Sequence, residues 1–86
     1  MTLGARFDDI LSAAADGADW AWEELYRDLA PSLLKFISAH GANDPEDCLG
    51  EVFVHMVRRL ERFDGDEAQF RAWSFTIARN QVIDAW

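Results

Sequence analysis

Asp44-Pro45-Glu46-Asp47-Cys48-Leu49-Gly50-Glu51-Val52-Phe53-Val54-His55-Met56-Val57-Arg58-Arg59-Leu60-Glu61-Arg62 is the most legible stretch of this sequence. Asp44 is a good N-cap, because a short carboxylate can accept from the free backbone N–H groups that open a helix. Pro45 suits the first helical position, where its missing donor removes no hydrogen bond. Glu46 and Asp47 complete an acidic first turn, and Arg58, Arg59 and Arg62 gather in the last turns. Both ends therefore complement the helix dipole. Leu49, Val52, Phe53, Met56 and Leu60 recur at three- and four-residue spacing and predict the buried face. Asp47, Glu51, Val54 and Arg58 form a second stripe, open either to solvent or to a partner.

Helical spacing extends outward from this stretch in both directions. A first helix is predicted from about Ala5 to Ala15, with Phe7, Ile10, Leu11 and Ala14 on one face and Gly17 ending it. A second starts near Asp19 and stops at Gly41, with a stripe of Trp22, Leu25, Tyr26, Leu29, Leu33, Phe36 and Ile37. Pro31 lies inside it, which predicts a kink or break, since proline removes a donor and crowds the preceding turn. Phe63 to Gln69 reads as a loop, with Asp64, Gly65 and Asp66 as turn residues. A fourth helix is expected from about Gln69 to Trp86. Phe70, Trp73 and Ile77 point one way in it, and Phe75, Val82 and Trp86 elsewhere. Apolar over so much of its circumference, it is expected to be the centre of a bundle or half of a larger surface. It reaches Trp86 without a cap, as an excised domain would. The expected fold class is all-α, a compact bundle of about four helices in one domain over residues 1–86.

Composition supports one small globular domain. Half of the 86 residues are apolar and 13% are aromatic, enough for a core although a chain this short buries only about 60–65% of its unfolded surface. The single cysteine, Cys48, excludes an internal disulfide and fits a reducing cytosol. No apolar run is long enough to span a membrane. No basic segment followed by an apolar one opens the chain, so no secretory signal is expected. Sixteen acids against eight bases give a net charge of −8. Duplex DNA is held largely by cations that displace counterions, so the whole chain is not expected to grip duplex DNA unaided.

Enzymatic chemistry has no visible site. His40 and His55 are far apart with Cys48 alone between them, which is not zinc-ligand spacing. There is no phosphate-cradling glycine loop and no nucleophile elbow. The adjacent pairs Asp8–Asp9 and Glu23–Glu24 project about 100° apart on a helix and read as solvated. No metal or cofactor is expected. Phe63 to Trp86 combines a polar loop, aromatics and a locally basic helix: beyond Ala68 the charged residues are Arg71, Arg79 and Asp84. Such aromatics either fill a core or stack unpaired bases.

Several of these segments, in their order and spacing, resemble the bacterial extracytoplasmic-function (ECF) sigma factors. Asp44 to Phe53 resembles the family's region 2.2, within a 2.2-like segment of about 44–62. Arg62-Phe63-Asp64-Gly65, Phe70-Arg71-Ala72-Trp73, Ile77-Ala78-Arg79-Asn80 and Asp84 resemble regions 2.3 and 2.4, truncated over 63–86. Ala21-Trp22-Glu23-Glu24-Leu25-Tyr26 resembles the start of region 2.1, at about 19–41.

The resemblance implies a transcription initiation factor fragment, not an enzyme, in a bacterial cytoplasm. It implies that Asp47, Glu51, Val54 and Arg58 dock on core RNA polymerase, at the clamp coiled coil of the largest catalytic subunit. It further implies that the Phe63–Ala68 loop, with Phe63, Asp64 and Gly65, and the helix residues Phe70, Arg71, Trp73, Arg79, Asn80 and Ile83 recognise the −10 promoter element. These would hold mainly the melted non-template strand. An anti-sigma factor is the second implied partner, and exposed apolar surface on the fourth helix would suit it. Trp73 is the hard case, because its spacing to Ile77 argues for the core. Asn80 is the clearer functional residue, a polar amide on a largely apolar helix.

Two positions depart from the family pattern: Gly50 stands where Gln is usual, and Ser74 where an apolar residue is common. The rival expectation is a sigma-like helical protein-interaction module without promoter activity.

Overall fold

Gly17 and Gly41 adopt positive φ of 85° and 83°, and each closes a helix in the same way. Gly17 N–H donates to the Ala14 carbonyl and Ala18 N–H to that of Ala13, both at 3.0 Å. Gly41 N–H donates to Ser38 and Ala42 N–H to Ile37, at 3.2 and 3.4 Å. This paired pattern satisfies the last carbonyls and needs a left-handed residue, which glycine supplies without a Cβ clash. The computed structural model describes residues 3–85, so the expectation for Trp86 lies outside the described residues. A short 3-10 turn, Gly4–Arg6, leads into α1 (Phe7–Ala15), α2 (Asp19–Ala39), α3 (Pro45–Arg59), a second 3-10 turn (Leu60–Arg62) and α4 (Glu67–Ala85).

The all-α bundle is organised around α2, which packs against α1, α3 and α4. Leu25, Leu29, Leu33 and Ile37 recur every fourth residue and are at most 1% exposed. Of the two expectations for α4, centre of the bundle or half of a larger surface, the first is not met: α2 is the helix that packs against all three others. One side of α4 is core, with Phe70, Ser74, Ile77, Ala78 and Val82 all buried. Val82 thus shares the stripe of Phe70 and Ile77 instead of pointing elsewhere. Trp73 and Phe75 are half-buried against the core at its margins, which is why this helix looked apolar all round.

α2 runs through Pro31 as one helix, so of the kink or break expected there, the break does not occur. Pro31 is exposed, so its ring meets no neighbouring helix and water can satisfy the carbonyl it orphans. Ala18, rather than Asp19, is the N-cap, with Asp19 in the first turn. The N-cap of α3 matches the sequence: Asp47 N–H donates to Asp44 Oδ1 at 3.1 Å.

α4 begins at Glu67, two residues before the expected start. Gln69 N–H donates to Asp66 Oδ1, and Asp66 N–H donates to Gln69 Oε1, both at 2.8 Å. This reciprocal capping box satisfies two free donors at once. Gly65 precedes it closely; a Cβ there would stand 2.5 Å from Gln69 Oε1 and 3.0 Å from its Cβ.

Gly50 is different. It is exposed on α3, and a Cβ there would meet nothing within 4 Å. The fold does not require glycine at this position. Gly50→Ala is expected to raise stability by about 0.5–1 kcal/mol, the usual helix-interior difference. Chemical denaturation followed by far-ultraviolet circular dichroism checks this; an unchanged or lowered midpoint contradicts it.

Candidate polymerase and promoter surfaces

α3 presents Asp47, Glu51, Val54 and Arg58 to solvent, all four exposed. Val54 is 41% exposed and Val57, further round the helix, 55%. Beside this stripe lies an open groove of about 1020 Å³ between α2 and α3. Trp22, Tyr26 and Leu34 line it from α2, and Leu49, Phe53 and Val57 from α3. Tyr26 packs on Phe53 with ring centroids 4.9 Å apart. Trp22 is anchored by its indole N–H, which donates to the Ala14 carbonyl at 3.0 Å. The sequence assigned Tyr26 and Phe53 to buried faces; they instead form the wall of this groove. The heptad-like spacing contained the signal, because these positions flank each stripe rather than centre it.

Apolar surface had been expected on α4. It lies mainly between α2 and α3; among the described residues of α4, Ile83, at 43% exposure, is the large exposed apolar side chain. The physical reason is that the aromatics of α4 turn into the bundle or pack on its margin.

The loop after α3 is pinned by an aromatic cluster. Phe63 meets Phe70 edge-on at 5.3 Å and Trp73 at 5.2 Å, and Phe70 meets Trp73 at 5.5 Å and Phe7 at 5.5 Å. Phe70 was expected at the DNA; it is 1% exposed and in this structure packs beneath the loop, with no open face toward a base. Phe63 and Trp73 are half-buried, Asp64 exposed and Gly65 half-buried. One end of α4 therefore carries this loop. Further along the helix, Arg79, Asn80 and Ile83 are exposed.

Arg71 is engaged inside the domain. Its guanidinium Nη1 donates to Asp28 Oδ2 at 3.2 Å. Asp28 is a buried carboxylate on α2, only 6% exposed, and its Oδ1 has no hydrogen-bond partner among the described residues. Burial pushes the Asp28 carboxyl above the ordinary carboxylate range, Arg71 pulls it partly back, and Glu67 adds to the rise. Glu67 in turn accepts from the backbone N–H groups of Leu3 and Gly4, at 2.6 and 3.2 Å. Ser74, buried one turn after Arg71, donates its hydroxyl to the Arg71 carbonyl at 2.7 Å, so the polar residue in this apolar row is satisfied locally. Sequence reasoning missed Asp28 and Glu67, whose roles rest on partners 43 and 64 residues away.

Cys48 is buried, and burial, with Asp47 and Glu51 nearby, pushes its thiol up. It stays protonated and unreactive at neutral pH. Among the described residues, no three His, Cys, Asp or Glu side chains gather as metal ligands, and no helix is long and apolar enough to cross a membrane.

The sigma-70 region 2 family model matches residues 23–86. The chain belongs to the sigma-70 region 2 family. Two curated relatives are both ECF RNA polymerase sigma factors. RpoE of Cereibacter sphaeroides is 35% identical over 66 residues, 74% of this chain and 36% of the relative. BldN of Streptomyces coelicolor is 32% identical over 82 residues, 93% of this chain and 31% of the relative. The chain thus spans about a third of the length of these relatives. No solved structure gives a significant match.

The raised Asp28 pKa fixes a sign for pH dependence. A carboxyl that binds its proton more tightly when folded contributes most stability below the ordinary pKa of about 3.9 and loses it as pH rises through the folded value. Asp28→Asn removes this titration. Relative to wild type, the variant is expected to gain stability as pH rises from about 4 towards 7. Thermal melts of both proteins across that range test this, and a constant offset between them contradicts it.

Proposed function

We propose that this chain is the part of a transcription initiation factor that joins core RNA polymerase to the −10 promoter element. The observation that carries this is a division of the surface. α3 offers an exposed stripe beside an apolar groove, whereas α4 offers exposed Arg79, Asn80 and Ile83 behind an anchored loop.

The polymerase side is α3. A groove between two helices, with an apolar floor and charged margins, suits the side of another helix. A clamp coiled coil presents such a surface. Glu51 and Arg58, on the exposed stripe of α3 and outside the groove lining, set register and orientation, and Phe53 and Val57 in the groove supply the apolar contact. Gly50 lets a partner backbone approach without displacing a side chain.

The promoter side is the loop over residues 63–66 with the outer face of α4. Phe70 and Arg71 act there as supports, one packing beneath the loop and the other tying α4 to α2. Contact with DNA falls to Phe63, Asp64, Gly65 and Trp73 at the loop, and to Arg79, Asn80 and Ile83 further along. Strand separation needs groups that favour unstacked bases over paired ones, and aromatics beside hydrogen-bonding side chains provide this. The net charge of −8 discourages indiscriminate duplex binding until polymerase supplies a basic channel. An anti-sigma factor would act by covering the α2–α3 groove, the larger apolar surface, and so compete with the clamp. Family membership points to initiation rather than catalysis.

Replacing Glu51 and Arg58 together by Ala is expected to weaken binding to core RNA polymerase about ten-fold or more, as loss of interfacial charges does. Circular dichroism should stay unchanged, because both side chains are exposed. Unaltered affinity from a folded variant, measured by fluorescence anisotropy of labelled chain, would remove α3 as the polymerase surface.

A further inference from the structure

The acidic residues of this chain are segregated. Sixteen are present, yet none occurs in residues 29–43 or 68–83. The first stretch covers the later part of α2 and the turn after it; the second covers most of α4. The two come together in space. Phe36 meets Phe75 edge-on at 5.4 Å, and Phe36, His40, Arg79, Val82 and Ile83 line a small recess of about 180 Å³. Lys35 and Arg79 are exposed on these acid-free stretches. Asp84, exposed and next after Ile83, is the acid that ends the second stretch; in a chain of net charge −8, segments without acids and bearing cations are where a polyanion can lie.

The recess also contains a stacking element. The His40 ring lies on Phe36 with centroids 4.1 Å apart and planes inclined by 27°. Its Nδ1–H donates to the Phe36 carbonyl at 2.8 Å, which holds the ring in place. His40 is exposed, so its second ring face is open. Arg79 stands on the opposite wall, and Val82 and Ile83 complete the lining. An anchored aromatic face, a cation and an apolar lining are what an unpaired nucleotide requires.

We propose that this recess binds one unpaired nucleotide of the promoter strand, with its base stacked on the open face of His40 and its phosphate held by Arg79. The promoter surface thereby continues from α4 onto the C-terminal end of α2. This rests on the promoter reading of α4 and adds a site on a helix to which that reading gives no DNA contact.

The test uses the chain bound to core RNA polymerase and a premelted DNA fork whose single strand is oligothymidylate with 4-thiothymidine substitutions. Short-range photocrosslinks are mapped by mass spectrometry. The result expected is a crosslink within residues 36–40 in addition to those on α4. His40→Ala should reduce that crosslink about five-fold or more, the lower end of what one stacked base contributes, and His40→Phe should retain it. Both variants should keep the wild-type circular dichroism, because His40 is exposed and the helix end is closed by backbone bonds. Crosslinks on α4 with none in residues 36–40 would overturn the recess and leave the promoter reading intact. Equal loss in His40→Ala and His40→Phe would overturn the stacking assignment. No crosslink to the chain anywhere would overturn the recess together with the promoter reading.

Discussion

Leu25, Leu29, Leu33 and Ile37 make a continuous buried row along α2, against which α1, α3 and α4 all pack, while α4 also packs extensively on α3. A row at four-residue spacing drifts slowly round a helix of 3.6 residues per turn. It therefore presents successive parts of α2 to different neighbours. Phe7, Ile10 and Ala14 of α1, Leu49, Val52 and Met56 of α3, and Phe70, Ile77 and Val82 of α4 join this row in one core. A Leu→Ala change in such a row would cost about 2–5 kcal/mol, a large share of what a domain of this size possesses. The radius of gyration, 12.4 Å, is close to the roughly 12 Å of a folded domain of this length. The chain thus carries a core of its own, and its surface is free for partners.

Across that apolar row runs one buried polar tie. Asp28 on α2 holds Arg71 on α4, and Glu67 on α4 holds the backbone at Leu3 and Gly4. A buried ion pair is weak evidence for stability, since desolvation offsets most of its attraction. Its contribution is better described as register. Removing Arg71 leaves the buried Asp28 carboxylate uncompensated, whereas Arg71 itself keeps some contact with solvent, so the pair favours one rotation and height of α4 on α2. That rotation sends Phe70, Ser74 and Ile77 inward and leaves Arg79, Asn80 and Ile83 outside. The outward set is the proposed promoter face, so a structural pair in the interior sets the geometry of a surface some turns away.

Much of this was legible in the sequence because it depends on local chemistry. Asp44 and Pro45 announce α3, Gly17 and Gly41 announce helix ends, and spacing finds Leu25, Leu33, Val52 and Met56. The capping box of Asp66 and Gln69 was also written there, but Asp64-Gly65-Asp66 reads more strongly as a turn, which displaced the start of α4. At Pro31 the break alternative fails for a related reason: the rule against proline in helices assumes that the lost hydrogen bond matters, and at an exposed position water can replace it. The site was less legible. Exposure of Asp47, Glu51, Val54 and Arg58 followed from the helical period. The fates of Phe70 and Arg71 did not, because spacing cannot tell a core aromatic from a stacking one, nor reveal that an arginine is engaged by a carboxylate 43 residues away. The α2–α3 groove escaped for the same reason: it exists only once two helices are side by side.

The central claim is that α3 faces polymerase while the loop and α4 face the promoter strand. Hydrogen–deuterium exchange of the chain, first with core RNA polymerase and then with polymerase and a premelted DNA fork, tests this most directly. The account predicts slowed exchange in α3 and the facing part of α2 on adding polymerase. Further slowing should appear in residues 63–68 and along α4 only when the fork is added. An α3 that exchanges as in the isolated chain, or an α4 indifferent to DNA, would contradict it.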